Sequence, residues 1–248
     1  MEQLHNSHVA VFGLGGVGGY AAEGLARSGV GKLTLIDFDE VCITNVNRQI
    51  QALQGCVGKS KADLLAEHLR QIDRTIDVAS VKAFYNEETS DELLACKPDL
   101  VIDAIDNITA KLHLIATCIQ RDIPLVTSMG AAAKIDPTQI RTARLNKTKH
   151  DRLARVVRRY LRRRHGLSNK EINRAWAIYS EEDVIWPSDE YKSSLCGVEC
   201  VCPGGTDKPH SCTTRNVVHG TVVYVTSVFG MAAAAKTIEL LLKQDTNS

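Results

Sequence analysis

Apolar positions fall into two rhythms along the first half of the chain, and the two alternate. Residues 8–12 (HVAVF) form a short apolar run ending at Gly13, as expected of a buried strand. Small and apolar residues from about Gly16 to Ser28 predict a helix, stopped by Gly29. A second strand is expected at 33–36. Between 59 and 72, Leu64, Leu65, Leu69 and Ile72 make a helical stripe. Further strands are expected at 78–81, 100–104 and 125–127, with helices at about 88–95 and 109–120 between them. Strands alternating with helices through short connections predict an α/β fold, a Rossmann-like and mostly parallel sheet with helices on both faces. Ligands of such sheets bind beyond the carboxyl ends of the strands, which singles out residues 13–18, 37–48 and 103–107.

After Asp136-Pro137 the rhythm changes. Residues 140–145 could pair as a strand, and 151–165 read as a helix. Residues 187–215 are a loop rich in Pro, Gly, Ser and Cys, and a long apolar helix closes the chain. The expected extension is therefore a C-terminal part with antiparallel strands and that helix.

Charge changes the picture more than composition does. The 248 residues carry 30 Lys or Arg and 29 Asp or Glu, a net of +1, with 44% apolar residues, which excludes disorder and fibrous repeats. Residues 147–165 hold nine of the basic residues and only Asp151 among the acids, a local +8; the other 21 basic and 28 acidic residues give −7. Leu153, Val156, Val157, Tyr160 and Leu161 make one apolar stripe there. Arg152, Arg155, Arg159, Arg162 and Arg163 lie mostly off it, positioned for a phosphate backbone rather than for base readout. The competing reading of such a run is a solvated basic face.

No basic region followed by an apolar segment opens the chain, so no secretory signal is expected. The longest run without Asp, Glu, Lys, Arg or His, 220–235, is 16 residues, short of a bilayer span, so a buried helix is expected and the location is read as cytoplasmic. Cys42, Cys56, Cys96 and Cys118 are isolated and read as core or loop residues. Cys196, Cys200, Cys202 and Cys212 cluster without a C-x-x-C pair, so the usual structural zinc spacing is missing. Metal binding by that cluster stays open, and reduced thiols are expected.

Gly13-Leu14-Gly15-Gly16-Val17-Gly18 follows a strand and opens a helix, where backbone N–H groups can meet phosphate. Asp37, 19 residues after Gly18 and at the end of the second strand, can accept ribose hydroxyls. Asp39, Asn45, Arg48 and Lys61 follow in the same crevice. Cations beside a glycine loop suit a triphosphate under attack, whereas hydride transfer gains little from them. Asp106, after the fourth strand, can hold magnesium beside the phosphates.

Together, G-x-G-G-x-G, D-x-D, N-x-N-R-Q, Lys61 and D-A-x-D-N resemble the ubiquitin-activating-enzyme-like adenylyltransferases, the ThiF, MoeB and HesA superfamily, from about Val9 to Asp136. The resemblance implies ATP and magnesium, with Asp37 on the ribose, Asn45, Arg48 and Lys61 on the phosphates, and Asp106 on the metal. It also implies a single domain over 1–248 (1–136 the ATP-binding half, 137–248 the remainder) and a homodimer. The I-D-P-T-Q-I stretch at 135–140 and the basic run resemble the branch acting on transfer RNA, the threonylcarbamoyladenosine dehydratases. That branch implies adenylation of the threonyl carboxylate of a modified adenosine, then cyclisation with loss of AMP. Cys212 falls roughly where the branch carries a cysteine implicated in activity, and the resemblance also implies a sulfur-relay or cysteine desulfurase partner. Relatives carry more residues before the first strand, including an arginine that reaches the partner's ATP. Here seven residues precede His8, none of them Arg or Lys. Two other readings stay open at this point: activation of the C-terminus of a ubiquitin-like sulfur carrier, and a catalytically silent nucleotide-binding relative.

Overall fold

The computed structural model describes residues 2–186 and 220–243. In chain order its elements are α1 (Glu2–His5), β1 (His8–Phe12), α2 (Gly18–Arg27), β2 (Lys32–Ile36), α3 (Lys61–Ile72), β3 (Asp77–Val81), α4 (Ser90–Leu94) and β4 (Leu100–Asp103). They continue with α5 (Ile108–Gln120), β5 (Leu125–Ser128), β6 (Ile140–Arg144), α6 (Arg152–His165), α7 (Asn169–Ile172), β7 (Trp176–Ser180) and α8 (Val223–Lys243).

Seven strands form one sheet in the order β3-β2-β1-β4-β5-β7-β6. The first six places are parallel; β6 alone runs antiparallel, with Ile140 opposite Ser180 and Arg144 opposite Trp176. All the parallel strands therefore end on one edge. Every residue of β1, β4 and β5 is buried, because helices cover both faces.

One face packs Val9, Val11, Leu33, Leu35, Leu100, Ile102 and Ile178 against α1, α2, α3 and α8. The other packs Ala10, Phe12, Ile36, Val101, Leu125 and Tyr179 against α4 to α7. Local chemistry sets the helix ends. Ser60, Asn107 and Asp151 accept the Asp63, Ala110 and Ala154 N–H groups at the starts of α3, α5 and α6. Gly166, at φ +67°, closes α6 in the left-handed region.

Among the described residues, α8 is long and apolar enough to cross a membrane by length and composition. In the fold it lies along α2 with Val225, Phe229, Ala233 and Leu241 buried on the sheet, each contributing about 1.5–3 kcal/mol for the larger side chains. A Cβ on Gly230 would stand 2.4 Å from the Val17 carbonyl, so only glycine permits this crossing.

The expected strands and helices are found, with ends shifted by up to a few residues, while the loop expected at 187–215 lies outside the described residues. One strand was not expected: β7, which takes the sixth, parallel place and carries β6 beyond it.

Candidate active site

The turn after β1 is built from glycine for steric reasons. Gly13 sits at φ +84°, and a Cβ there would lie 2.7 Å from the Ala104 carbonyl. A Cβ on Gly18 would lie 1.8 Å from the Gly13 carbonyl, an impossible distance. A Cβ on Gly16 would crowd the Arg48 carbonyl (3.1 Å), the Arg48 Cγ (3.2 Å) and Thr226 Oγ1 (3.0 Å). Gly15 is roomier, its nearest neighbour being the Gln49 Nε2 at 3.7 Å. The loop is thus packed between residues 104–105, the Arg48 turn and α8, and it delivers the N-terminus of α2, where the Gly19 N–H bonds the Gly15 carbonyl at 3.1 Å and the Ala21 N–H the Val17 carbonyl at 2.9 Å.

Asp37 anchors this loop. Its Oδ2 accepts the Leu14 N–H at 2.6 Å and its Oδ1 accepts the Asp39 N–H at 2.8 Å. Each carboxylate oxygen retains capacity for a second donor, such as a ribose hydroxyl. Burial pushes the Asp37 carboxyl above its ordinary value, and the Lys61 charge pulls it back. Lys61, buried at the first turn of α3, donates to Asp39 Oδ2 at 2.7 Å, while its own N–H bonds the Asp39 carbonyl. The Asp39–Lys61 pair is therefore fixed through both backbone and side chain.

Asn45 is buried and caps the turn at Ile43–Asn45, its Oδ1 accepting the Cys42 N–H at 3.0 Å. Its carbonyl receives the Arg48 and Gln49 N–H groups, which presses Arg48 against Gly16. The Arg48 guanidinium donates to the Thr44 carbonyl and Asn47 Oδ1, both at 2.9 Å. Gly13, Gly15, Gly16, Gly18, Asp37, Asp39, Asn45, Arg48 and Lys61 are thus brought together around one loop. Asp106 is exposed on the neighbouring turn, two residues beyond Ala104. One carboxylate beside substrate phosphates is a common magnesium arrangement, so this residue fits that ion without a protein cage. No group of three metal-ligating side chains exists among the described residues. Cys212, with Cys196, Cys200 and Cys202, lies outside them.

Several residues here escaped the sequence reading. Gln51 Nε2 donates to the Leu14 carbonyl at 2.6 Å, and the buried Oε1 atoms of Gln49 and Gln51 have no hydrogen-bond partner among the described residues. Beneath the Asp106 turn, Lys111 is buried in α5 and bonds Asp103 Oδ2 at 2.7 Å and the Ser128 carbonyl at 3.0 Å. Thr127 Oγ1 reaches the same Asp103 oxygen, and Asp103 Oδ1 accepts the Ile105 N–H at 3.0 Å. This satisfied ionic cluster fixes the turn beside Gly13.

The basic helix α6 docks through Ala154, Val157 and Leu161, with Leu153 and Tyr160 partly buried; Val156 is only half-buried. Arg152, Arg155, Arg159, Arg162 and Arg163 are all exposed. Arg158 turns inward to the carbonyls of Leu145 and Thr148. The start of α6 lies where β5 ends, with Leu153 under Gly130, so the arginine face begins on the same sheet edge as the glycine loop.

The ThiF family model matches residues 1–248. The tRNA threonylcarbamoyladenosine dehydratase of Bacillus subtilis (strain 168) is 51% identical over 163 residues, 66% of this chain and 64% of that protein. The enzyme of that name from Escherichia coli (strain K12) is 37% identical over 244 residues, 98% of this chain and 88% of that one. The solved structure of the E. coli dehydratase TcdA in complex with ATP superposes with a TM-score of 0.84 at 34% identity, covering 100% of this chain and 90% of that one.

Proposed function

The chain belongs to the ThiF family, and from that premise we propose that it is an ATP-dependent dehydratase of threonylcarbamoyladenosine in transfer RNA. The observation that carries this is a juxtaposition. A glycine loop with its Asp37, Arg48 and Lys61 shares one sheet edge with the exposed arginine face of α6.

The chemistry follows from where charge develops. ATP lies with its ribose hydroxyls on Asp37 and its phosphates on the α2 N-terminus. The threonyl carboxylate of the RNA attacks the α-phosphorus; a P–O bond forms and the bond to pyrophosphate breaks. Charge gathers on the phosphoryl oxygens, and fixed cations there lower the barrier. Lys61 is held at that place by Asp39, and Arg48 by its turn against Gly16. Asp106 would hold magnesium, which would supply positive charge beside the pyrophosphate. The side chain's own carbamoyl nitrogen then attacks the acyl-adenylate and loses its proton while AMP leaves, closing the ring. No enzyme thiol is required for that closure, so Cys212 has no assigned step.

A homodimer is part of the proposal. Tyr224, Val228, Met231 and Leu242 are exposed along one side of α8, a helical apolar stripe of the kind a second copy covers. A sulfur-relay or cysteine desulfurase partner would engage the cysteine-bearing segment beyond the described residues, and cytoplasmic location accords with a transfer RNA substrate.

The test is pyrophosphate release with modified transfer RNA, with a ubiquitin-like carrier, and with neither, followed by mass spectrometry of the RNA nucleosides. Release only with transfer RNA, together with loss of one water from the modified nucleoside, is expected. Release with the carrier alone would refute the RNA substrate.

A further inference from the structure

Helix α6 carries seven arginines in its 14 residues and no acid. Arg155 and Arg159, Arg158 and Arg162, and Arg159 and Arg163 are like charges one turn apart, an arrangement that works against the helix. Arg27, Arg121, Arg141 and Arg174 each pair with a carboxylate, whereas among the described residues Arg152, Arg155, Arg159, Arg162 and Arg163 pair with none. A self-repelling, uncompensated face gains from a polyanion laid against it.

The row also has a course and a direction. Ala154, Val157 and Leu161 face the core, and at 3.6 residues per turn the five exposed arginines fall on the opposite side. From Arg152 to Arg163 the row covers about 16 Å at a rise of about 1.5 Å per residue. It starts at the carboxyl edge of the sheet, where Leu153 packs under Gly130, two residues beyond β5. Two strand spacings separate β5 from β1, so the glycine loop is roughly 10 Å away along that edge. The row ends at the amino edge. Arg162 donates to Asn169 Oδ1 at 3.2 Å, and Asn146 donates to the Asn169 carbonyl at 3.3 Å. Asn146 follows the Arg144 end of β6, which lies opposite Trp176 where β7 begins.

The chemistry of the face selects a duplex. No aromatic side chain stands on it to stack an unpaired base; Tyr160 packs towards the core with Arg159 and Arg164 over its ring. The apolar side of α6 is packed on the core, which leaves none to enter a lipid surface. Double-stranded RNA is held through its phosphates and shape, which is what a straight row of guanidiniums offers.

We propose that the duplex stem of the RNA loop bearing the modified adenosine lies along α6, its loop-proximal phosphates on Arg152 and Arg155 and its loop-distal phosphates on Arg162 and Arg163. The polarity follows because the adenosine must reach the nucleotide edge, where the row begins. This rests on the transfer RNA reading above and adds the placement and direction of the bound stem.

The test uses the full chain and transfer RNA carrying the modified adenosine. The RNA has native phosphates throughout, or neutral methylphosphonate linkages at the loop-proximal or the loop-distal end of that stem. Two double variants are compared, Arg152→Gln with Arg155→Gln, and Arg162→Gln with Arg163→Gln; glutamine keeps helix propensity and removes the charge. With native phosphates, each double variant should lower the slope of log affinity against log salt by about two, one for each lost contact. Loop-distal neutral linkages should silence the second double variant and leave the effect of the first, and loop-proximal linkages should do the reverse. Slopes unmoved by either variant, additive effects in every combination, or silencing in the crossed order overturn the stem placement alone. Failure of the parent chain to bind the native transfer RNA overturns the transfer RNA reading and the placement with it.

Discussion

Lys111→Met tests the support beneath the Asp106 turn. Lys111 and Asp103 are 1% and 0% exposed, 2.7 Å apart, and share Thr127. Methionine matches the length of the lysine stem, so packing is kept while Asp103 loses its counter-charge. Stranding one member of a buried ion pair costs about 3–5 kcal/mol. For a chain of this size each kcal/mol lowers Tm by roughly 2–4 °C, so a drop of about 6–20 °C is expected in differential scanning calorimetry. Adding Asp103→Asn should recover much of the loss, since the amide still serves Thr127 and the Ile105 N–H, and the two substitutions should be strongly non-additive. A Tm drop below about 3 °C, or simple additivity of the two substitutions, would falsify the view that this cluster carries a dehydrated ion pair.

Lys61→Ala should reduce pyrophosphate release about 100- to 1,000-fold with folding intact, the loss typical of one fixed donor in a transition state; near-normal turnover would remove Lys61 from that role. Asp106→Ala should raise the magnesium requirement and lower turnover, read as the magnesium dependence of the rate at saturating ATP. Replacing Arg155, Arg159 and Arg163 with Glu should lower RNA affinity and flatten its salt dependence while leaving ATP affinity alone, as measured by titrations at several salt concentrations. Burial holds His8 and His165 below their ordinary value of 6.5, so the unfolded state takes up their protons first. Their contribution is therefore present above 6.5 and lost as pH falls below it; urea midpoints should decline from pH 7 to 5, and His165→Gln should flatten that decline.

What could be read in advance was whatever local physics forces. Gly13 and Gly18 were legible because their backbone crowding tolerates no side chain, and α6 because a 3.6-residue stripe cannot hide within a charge run. Asp37 and Lys61 were placed by spacing, and the geometry joins them through Asp39. Lys111 was not legible as a buried residue, because a lone lysine on a helix ordinarily reaches solvent and only the third dimension puts Asp103 and Thr127 around it. Strand β7 was missed for a related reason. Trp176–Ser180 is five residues with no distinctive flanks, and its place between β5 and β6 depends on pairings far away in sequence. The cysteine cluster, prominent in the sequence, falls outside the described residues.

The position of α8 has a consequence in time. The strands it packs on, β4, β5, β6 and β7, all lie before residue 181, yet their cover is encoded after residue 222, and β7 must arrive before β6 can join the sheet. At synthesis rates of 5–20 residues per second, a ribosome that has passed residue 136 needs roughly 5–20 s more to supply that helix. Through that interval the nascent chain holds out a large greasy surface and an unfinished edge, which makes it a natural client for chaperones before it is an enzyme.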